Sequence, residues 1–248
     1  MENENRNDLK ISGAGSASGG MYRNVKINGA GSVNGDIDCI DLAIKGSFDG
    51  AGNIQAQTGA IHGTLSLRGN LETESFRVAG SADIGGAVSG KAVKVDGSAT
   101  IGGRVALEEL RARGAITIRS DCEAETFAAD GAFTIDGLLN AGTIEVKMYG
   151  PCQAREIGGE NISVKRGNDF GFSQFIKSVF KPSFKTMLTA DTIEGDTIYL
   201  ESTKANVVRG NSVHIGQDCE IELVEYKENY EQASDTRVKE AKKIDIAE

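Results

Sequence analysis

The chain has no tryptophan, only two prolines and only two histidines in 248 residues. No stretch approaches the roughly 18 apolar residues that cross a bilayer. Residues 1–8, MENENRND, are polar and contain no signal-peptide core. These absences predict a cytosolic protein whose membrane contact, if any, is peripheral at the inner face. The four cysteines, Cys39, Cys122, Cys152 and Cys219, include no C-x-x-C pair, so no zinc site or other metal or cofactor is expected. Basic residues are outnumbered 27 to 36, a net charge of −9. That balance argues against a nucleic-acid partner, which needs a basic surface to neutralise phosphates.

What the chain has is glycine, 32 residues of it, placed with a period. Gly13, Gly29, Gly46, Gly63, Gly80, Gly97, Gly114 and Gly131 are separated by 16 and then by 17 residues throughout. A second series, Gly19, Gly35, Gly52, Gly69, Gly86, Gly103 and Gly137, follows six behind, with Ser120 in its one gap. Between the glycines the apolar residues alternate. In 93–109, VKVDGSATIGGRVALEE, Val93, Val95, Ala99, Ile101, Val105 and Leu107 occupy odd positions, and polar residues occupy most even ones. Alternation of this kind marks strands with one buried face. Seventeen is odd, so the parity must reset once per repeat. The paired outward-type residues Glu74-Ser75, Glu108-Glu109 and Glu125-Thr126 supply that corner, and the glycines supply two more.

Short strands joined by three corners predict an all-β fold, a single-stranded parallel β-helix with 17-residue rungs that start at Leu9 and Val25 and step by 17 from there. Like residues then stack in columns: Ile11, Ile27, Ile44, Ile61, Val78, Val95, Ala112, Ala129, Val146; and Met21, Ile37, Ile54, Leu71, Val88, Val105, Cys122, Leu139. Nine rungs make a rod of about 43 Å. Cys122 and Cys152 fall two rungs apart, about 9–10 Å, beyond the reach of a disulfide. Cys39, Cys122 and Cys152 are therefore read as buried thiols. The expected organisation is a polar N-terminal tail (1–8), β-helix repeats (9–167), a Phe/Lys-rich insert (168–187), further rungs (188–226) and a charged C-terminal tail (227–248), disordered or a frayed helix.

The repeats FRVAGSADIGGAV (76–88) and VKVDGSATIGGRV (93–105), with their neighbours, resemble the bactofilins, bacterial polymer-forming cytoskeletal proteins. The resemblance covers 9–160 well and 188–226 more loosely. It implies a right-handed β-helix that polymerises end to end without nucleotide and acts as a scaffold in cell shape, wall growth or motility. It also implies partners: further copies of itself, a related bactofilin, and a membrane or membrane protein. Two features depart from the family pattern: the mid-chain insert, and residues 1–8, which lack its membrane-targeting stretch.

Candidate sites follow from what the rod leaves open. Leu9 and Ile11 begin the first rung, under only eight polar residues, and are the expected polymerisation interface. The insert holds five of the nine phenylalanines, and Phe172, Phe175, Ile176, Val179 and Phe180 follow helical spacing up to Pro182. With Lys177, Lys181, Phe184 and Lys185 they form the expected membrane or partner contact, or else a cap on the rod. The rival readings are enzymes or a monomeric adaptor. Asp36, Asp38, Asp41 and Asp49 could serve a side-wall carbohydrate enzyme. His62 and His214 invite comparison with left-handed hexapeptide acyltransferases, but no run of hexads accompanies them. Gly13-Ala14-Gly15 and Gly29-Ala30-Gly31 lack the lysine and strand–helix context of a phosphate loop. No catalytic residue is assigned, and the chain is read as non-enzymatic.

Overall fold

The computed structural model describes residues 6–167 and 186–244, and every regular element among them is a β-strand. The chain divides into two compact units, Met1–Ser120 and Asp121–Glu248. Each is a parallel β-solenoid.

In the first unit the strands are β1 (Asn7–Gly50), β2 (Ile54–Leu67), β3 (Leu71–Val78), β4 (Ser81–Ile84), β5 (Val88–Ile101) and β6 (Val105–Ile118). The 17-residue period is the pairing register: Ile37 faces Ile54, Ile54 faces Leu71, Leu71 faces Val88 and Val88 faces Val105. The path runs β1-β2-β3-β5-β6, and β4 pairs both β2 and β5 on another side of the coil. Ile27, Ile44, Ile61, Val78, Val95 and Ala112 are at most 3 % exposed and form one column of the core, headed by Ile11. Polar residues alternate with them and face water, as a half-buried strand requires.

The glycine corner owes its composition to two constraints at once. Gly46 has φ of +126° and Gly63 of +146°, conformations that side chains rarely adopt. A Cβ on Gly63 would also lie under 3.0 Å from the carbonyl oxygen of Gly46. Backbone stacks on backbone here, with no room for a methyl group. Gly59 shows a different constraint, of volume. It begins a rung where its neighbours carry large apolar groups, and the ring of Phe76 fills the space its side chain would take.

A second ladder runs beside the other glycine corner. Asp36 Oδ1 accepts from the Asn53 amide at 2.7 Å, Asn53 Oδ1 from the Asn70 amide at 2.9 Å, and Asn70 Oδ1 from the Ala87 amide at 2.8 Å. Each side chain thus satisfies a corner N–H of the next turn, where the strand ladder is interrupted.

The second unit contains β7 (Cys122–Arg166), β8 (Leu188–Leu200), β9 (Thr203–Ile215), β10 (Glu220–Gln232) and β11 (Arg237–Lys243). Phe127 and Phe133 pack edge to face at 5.4 Å in its core. Its later rungs are shorter. Leu188 faces Thr203, a step of 15 residues, and the step returns to 17 between Glu220 and Arg237. Ser202 (φ +45°) and Asp218 (φ +58°) turn these corners in place of glycine.

The C-terminal region departs from expectation. Residues 227–243, read from sequence as a disordered or helical tail, continue β10 and form β11, which pairs with β10 in parallel. Polar composition conceals the strand because β11 has little to bury: every residue in it but Val238 is exposed. Lys239 pairs with Glu222 at 2.8 Å across the two strands.

Candidate functional site

Two strand edges, one in each unit, differ in character. β1 stands at the start of the sheet path, so its first turn has a neighbour on one side only among the described residues. Residues 12–20 of that turn, SGAGSASGG, are small and uncharged, and most are exposed. Ile11 is 7 % exposed, Leu9 is half-buried, and Met21 is 61 % exposed. Met21 therefore corrects the column in which the sequence places it. It heads the stack Ile37, Ile54, Leu71 and Val88, and among the described residues no turn above covers it. In the second unit the last strand, β11, carries Arg237, Lys239, Lys242 and Lys243. Lysines on an edge oppose pairing, whereas a bare, uncharged edge invites it.

The first turn is held by a long-range clasp. The Arg6 guanidinium donates to Asp38 at 2.6 and 3.1 Å, reaching across the intervening turn. This pairing accounts for one of the four candidate carboxylates. Asp36 belongs to the corner ladder, Asp41 accepts from the Thr58 hydroxyl, and Asp49 lies 4.0 Å from Arg68. Each has a partner in the fold. Asp36 and Asp38 line a shallow side groove of about 520 Å³ together with Met21, Gln55 and Glu72.

The histidines lie apart. His62 is exposed in the first unit, opposite Lys45. His214, in the second, stacks on Tyr199 at 4.9 Å, and its Nδ1 lies 3.1 Å from Glu231. Among the described residues no three His, Cys, Asp or Glu side chains come together as metal ligands. All four cysteines are buried free thiols. Burial pushes the thiols of Cys39, Cys122 and Cys152 up to about 12 and that of Cys219 to about 11. At neutral pH they are protonated and unreactive.

A larger groove, of about 640 Å³, lies on the second unit. Its floor is a glycine column: Gly159 faces Gly195, and Gly195 faces Gly210. Glu156, Glu160, Glu194 and Asp196 stand along it. Arg209 is tied down between Glu194 at 3.3 Å and Glu225 at 2.7 Å. Sequence reading misses this site because its glycines are 36 and then 15 residues apart and no longer align with the earlier repeats. The corner ladder was more accessible: Asp36, Asn53 and Asn70 each follow a glycine of the second series.

Of the sequence candidates, Phe172, Phe175, Ile176, Lys177, Val179, Phe180, Lys181, Phe184 and Lys185 lie outside the described residues. Among the described residues no helix is long and apolar enough to cross a membrane.

The chain is 59 % identical over 223 residues to the uncharacterized protein YhbE of Bacillus subtilis, covering 90 % of this chain and 92 % of that protein. It is 41 % identical over 109 residues to the uncharacterized protein YhbF of the same organism, covering 44 % of this chain and 42 % of that one. No family model matches, and no solved structure matches.

Proposed function

For this chain, which belongs to the YhbE family, we propose a non-enzymatic scaffold of the bactofilin type that assembles end to end through the first turn of its N-terminal solenoid. The observation that carries the reading is the uncharged edge at residues 12–20, with Met21 61 % exposed beside it. Such an edge offers strand N–H and C=O groups together with an apolar column end, and both gain by pairing with another edge. Assembly of this kind needs no nucleotide. The scaffold then serves a process at the cell envelope, such as cell shape, wall growth or motility.

Ile11→Lys is the obvious edge variant, but Ile11 is only 7 % exposed and a lysine there strains the fold. Met21→Lys places the charge at the same edge without burying it. Sedimentation velocity and negative-stain electron microscopy without nucleotide should show long assemblies for the wild type. Met21→Lys should give short ones with an unchanged melting temperature. A wild type that stays monomeric at all concentrations refutes the scaffold reading. Unchanged assembly in Met21→Lys removes this edge as the interface.

A further inference from the structure

The charge of this protein is unevenly placed. Residues 1–120 hold 13 basic and 13 acidic residues, so the entire net charge of −9 falls on 121–248. Within the neutral first unit the basic residues gather on one side. Lys10, Lys26, Arg77, Lys94 and Arg111 each directly precede a residue of the buried column Ile11, Ile27, Val78, Val95 and Ala112. All five are exposed on one wall, in an outward row that Ala43 and Ala60 interrupt between Lys26 and Arg77. Arg77 faces Lys94, and Lys94 faces Arg111, cation opposite cation. A parallel row on the same wall adds Lys45 and Arg113; Asp96 pairs with Arg113 at 2.6 Å and Arg77 at 2.7 Å, and Glu109 pairs with Arg111, so the arginines are partly neutralised while the lysines of the wall are not. Lys10, Lys26, Lys45 and Lys94 make no salt bridge among the described residues. Like charges on directly opposed strand positions are unfavourable. An opposing acidic surface relieves that repulsion.

The second unit carries such a surface. Glu156, Glu160, Glu194 and Asp196 stand along the groove of about 640 Å³. The floor of stacked glycines leaves room for the aliphatic stems of lysine and arginine, whose charged heads then reach the carboxylates. Both surfaces are solenoid walls, so both repeat at the spacing of neighbouring parallel strands, about 4.8 Å. Cations on adjacent turns, such as Arg77 and Lys94, can therefore match the two groove turns that carry Glu156 with Glu160 and Glu194 with Asp196, which a surface without that spacing does not provide.

We infer that the basic wall of the first unit docks on the acidic glycine-floored groove of the second unit in another copy of this chain, giving a side-by-side contact distinct from the end edge. The inference does not rest on end-to-end assembly. Its test is run in the Met21→Lys background, where end pairing is disabled if it exists.

The perturbations are Lys10→Glu with Lys94→Glu on the wall, and Glu156→Lys with Glu160→Lys in the groove. Neither groove carboxylate is part of the Arg209 clasp. The expected result is that each double variant weakens self-association at least about tenfold in sedimentation velocity at low salt. Wild-type association should weaken similarly when the screening length drops from about 10 Å at 0.1 M salt towards 3 Å at 1 M. The decisive arm combines opposite changes. An equimolar mixture of the two double variants should recover association, because the acidic wall of the first then fits the basic groove of the second, and the basic wall of the second fits the acidic groove of the first. The quadruple variant, whose net charge equals that of the wild type, should therefore associate with itself as the wild type does. Recovery there cannot come from net charge. Unaltered association in either double variant, or a quadruple variant that stays dissociated with a wild-type melting temperature, overturns the inference. So does loss of co-sedimentation with phosphatidylglycerol vesicles in Lys10→Glu/Lys94→Glu with copy-to-copy association unchanged, which makes the wall a lipid contact instead.

Discussion

Two alanine substitutions in one glycine column separate backbone conformation from stacking. Gly13 and Gly63 occupy equivalent corners, with φ of +88° and +146°. A Cβ on Gly13 meets nothing within 4 Å, because Gly13 lies in the first turn. A Cβ on Gly63 would fall under 3.0 Å from the carbonyl oxygen of Gly46. Gly13→Ala therefore costs only the conformational term, about 1 kcal/mol. Gly63→Ala adds a backbone overlap that side-chain rotation cannot relieve, about 1–3 kcal/mol by analogy with overpacked cores, for a total of about 2–4 kcal/mol. For a chain of this size about 1 kcal/mol moves the melting temperature by about 2–4 °C. Gly13→Ala should melt about 2–4 °C below wild type and Gly63→Ala about 5–15 °C below, by circular dichroism in the far ultraviolet. Because each turn contacts only its neighbours, the loss at Gly63 should also loosen amide-exchange protection in the adjoining turns first. Equal shifts for the two variants would refute the stacking argument and leave only the backbone preference.

Three further outcomes follow from the described contacts and from the sequence. Asn53→Ala removes the acceptor of the Asn70 amide and should cost about 1 kcal/mol by urea titration, whereas Asn53→Asp, which keeps the oxygen, should cost less. The buried thiols have folded-state values near 11–12 against 9.0 when exposed. Their stabilising contribution is complete below pH 9 and is lost as pH rises towards 12, because the unfolded chain releases protons that the folded one keeps. The melting temperature should fall across that window, less steeply in Cys122→Val, and a thiol reagent at pH 8 should react only on unfolding; rapid labelling of the native protein contradicts the burial. From sequence alone, Phe175→Ser with Phe180→Ser should abolish capture by anionic vesicles or a partner protein without altering the far-ultraviolet spectrum, and a large fall in melting temperature with binding intact identifies the segment as a cap.

The solenoid was legible in the sequence because its determinants are periodic and local. A 17-residue spacing of glycine and alternating apolar residues places Ile27, Ile44, Ile61, Val78 and Val95 in one column before any contact is known, and the register Ile44–Ile61–Val78–Val95 repeats that spacing. The glycine corners and the buried cysteines follow from the same count. Tertiary structure decided what depends on a neighbour's presence or absence. Met21 has the sequence signature of a core residue and is exposed because, among the described residues, its column ends there. Asp38 looks like part of an acidic cluster and is instead the anchor of Arg6, 32 residues away. The strand β11 has almost no apolar pattern, since its backbone hydrogen bonds to β10 order it rather than burial of its side chains. The acidic groove arises where Gly159 pairs with Gly195 across 36 residues and Gly195 with Gly210 across 15, so the glycines line up although their spacing in the chain follows no single period. Repetition is a property of sequence, but the ends of a repeat and its changes of step acquire their chemistry only from which turn lies next to them.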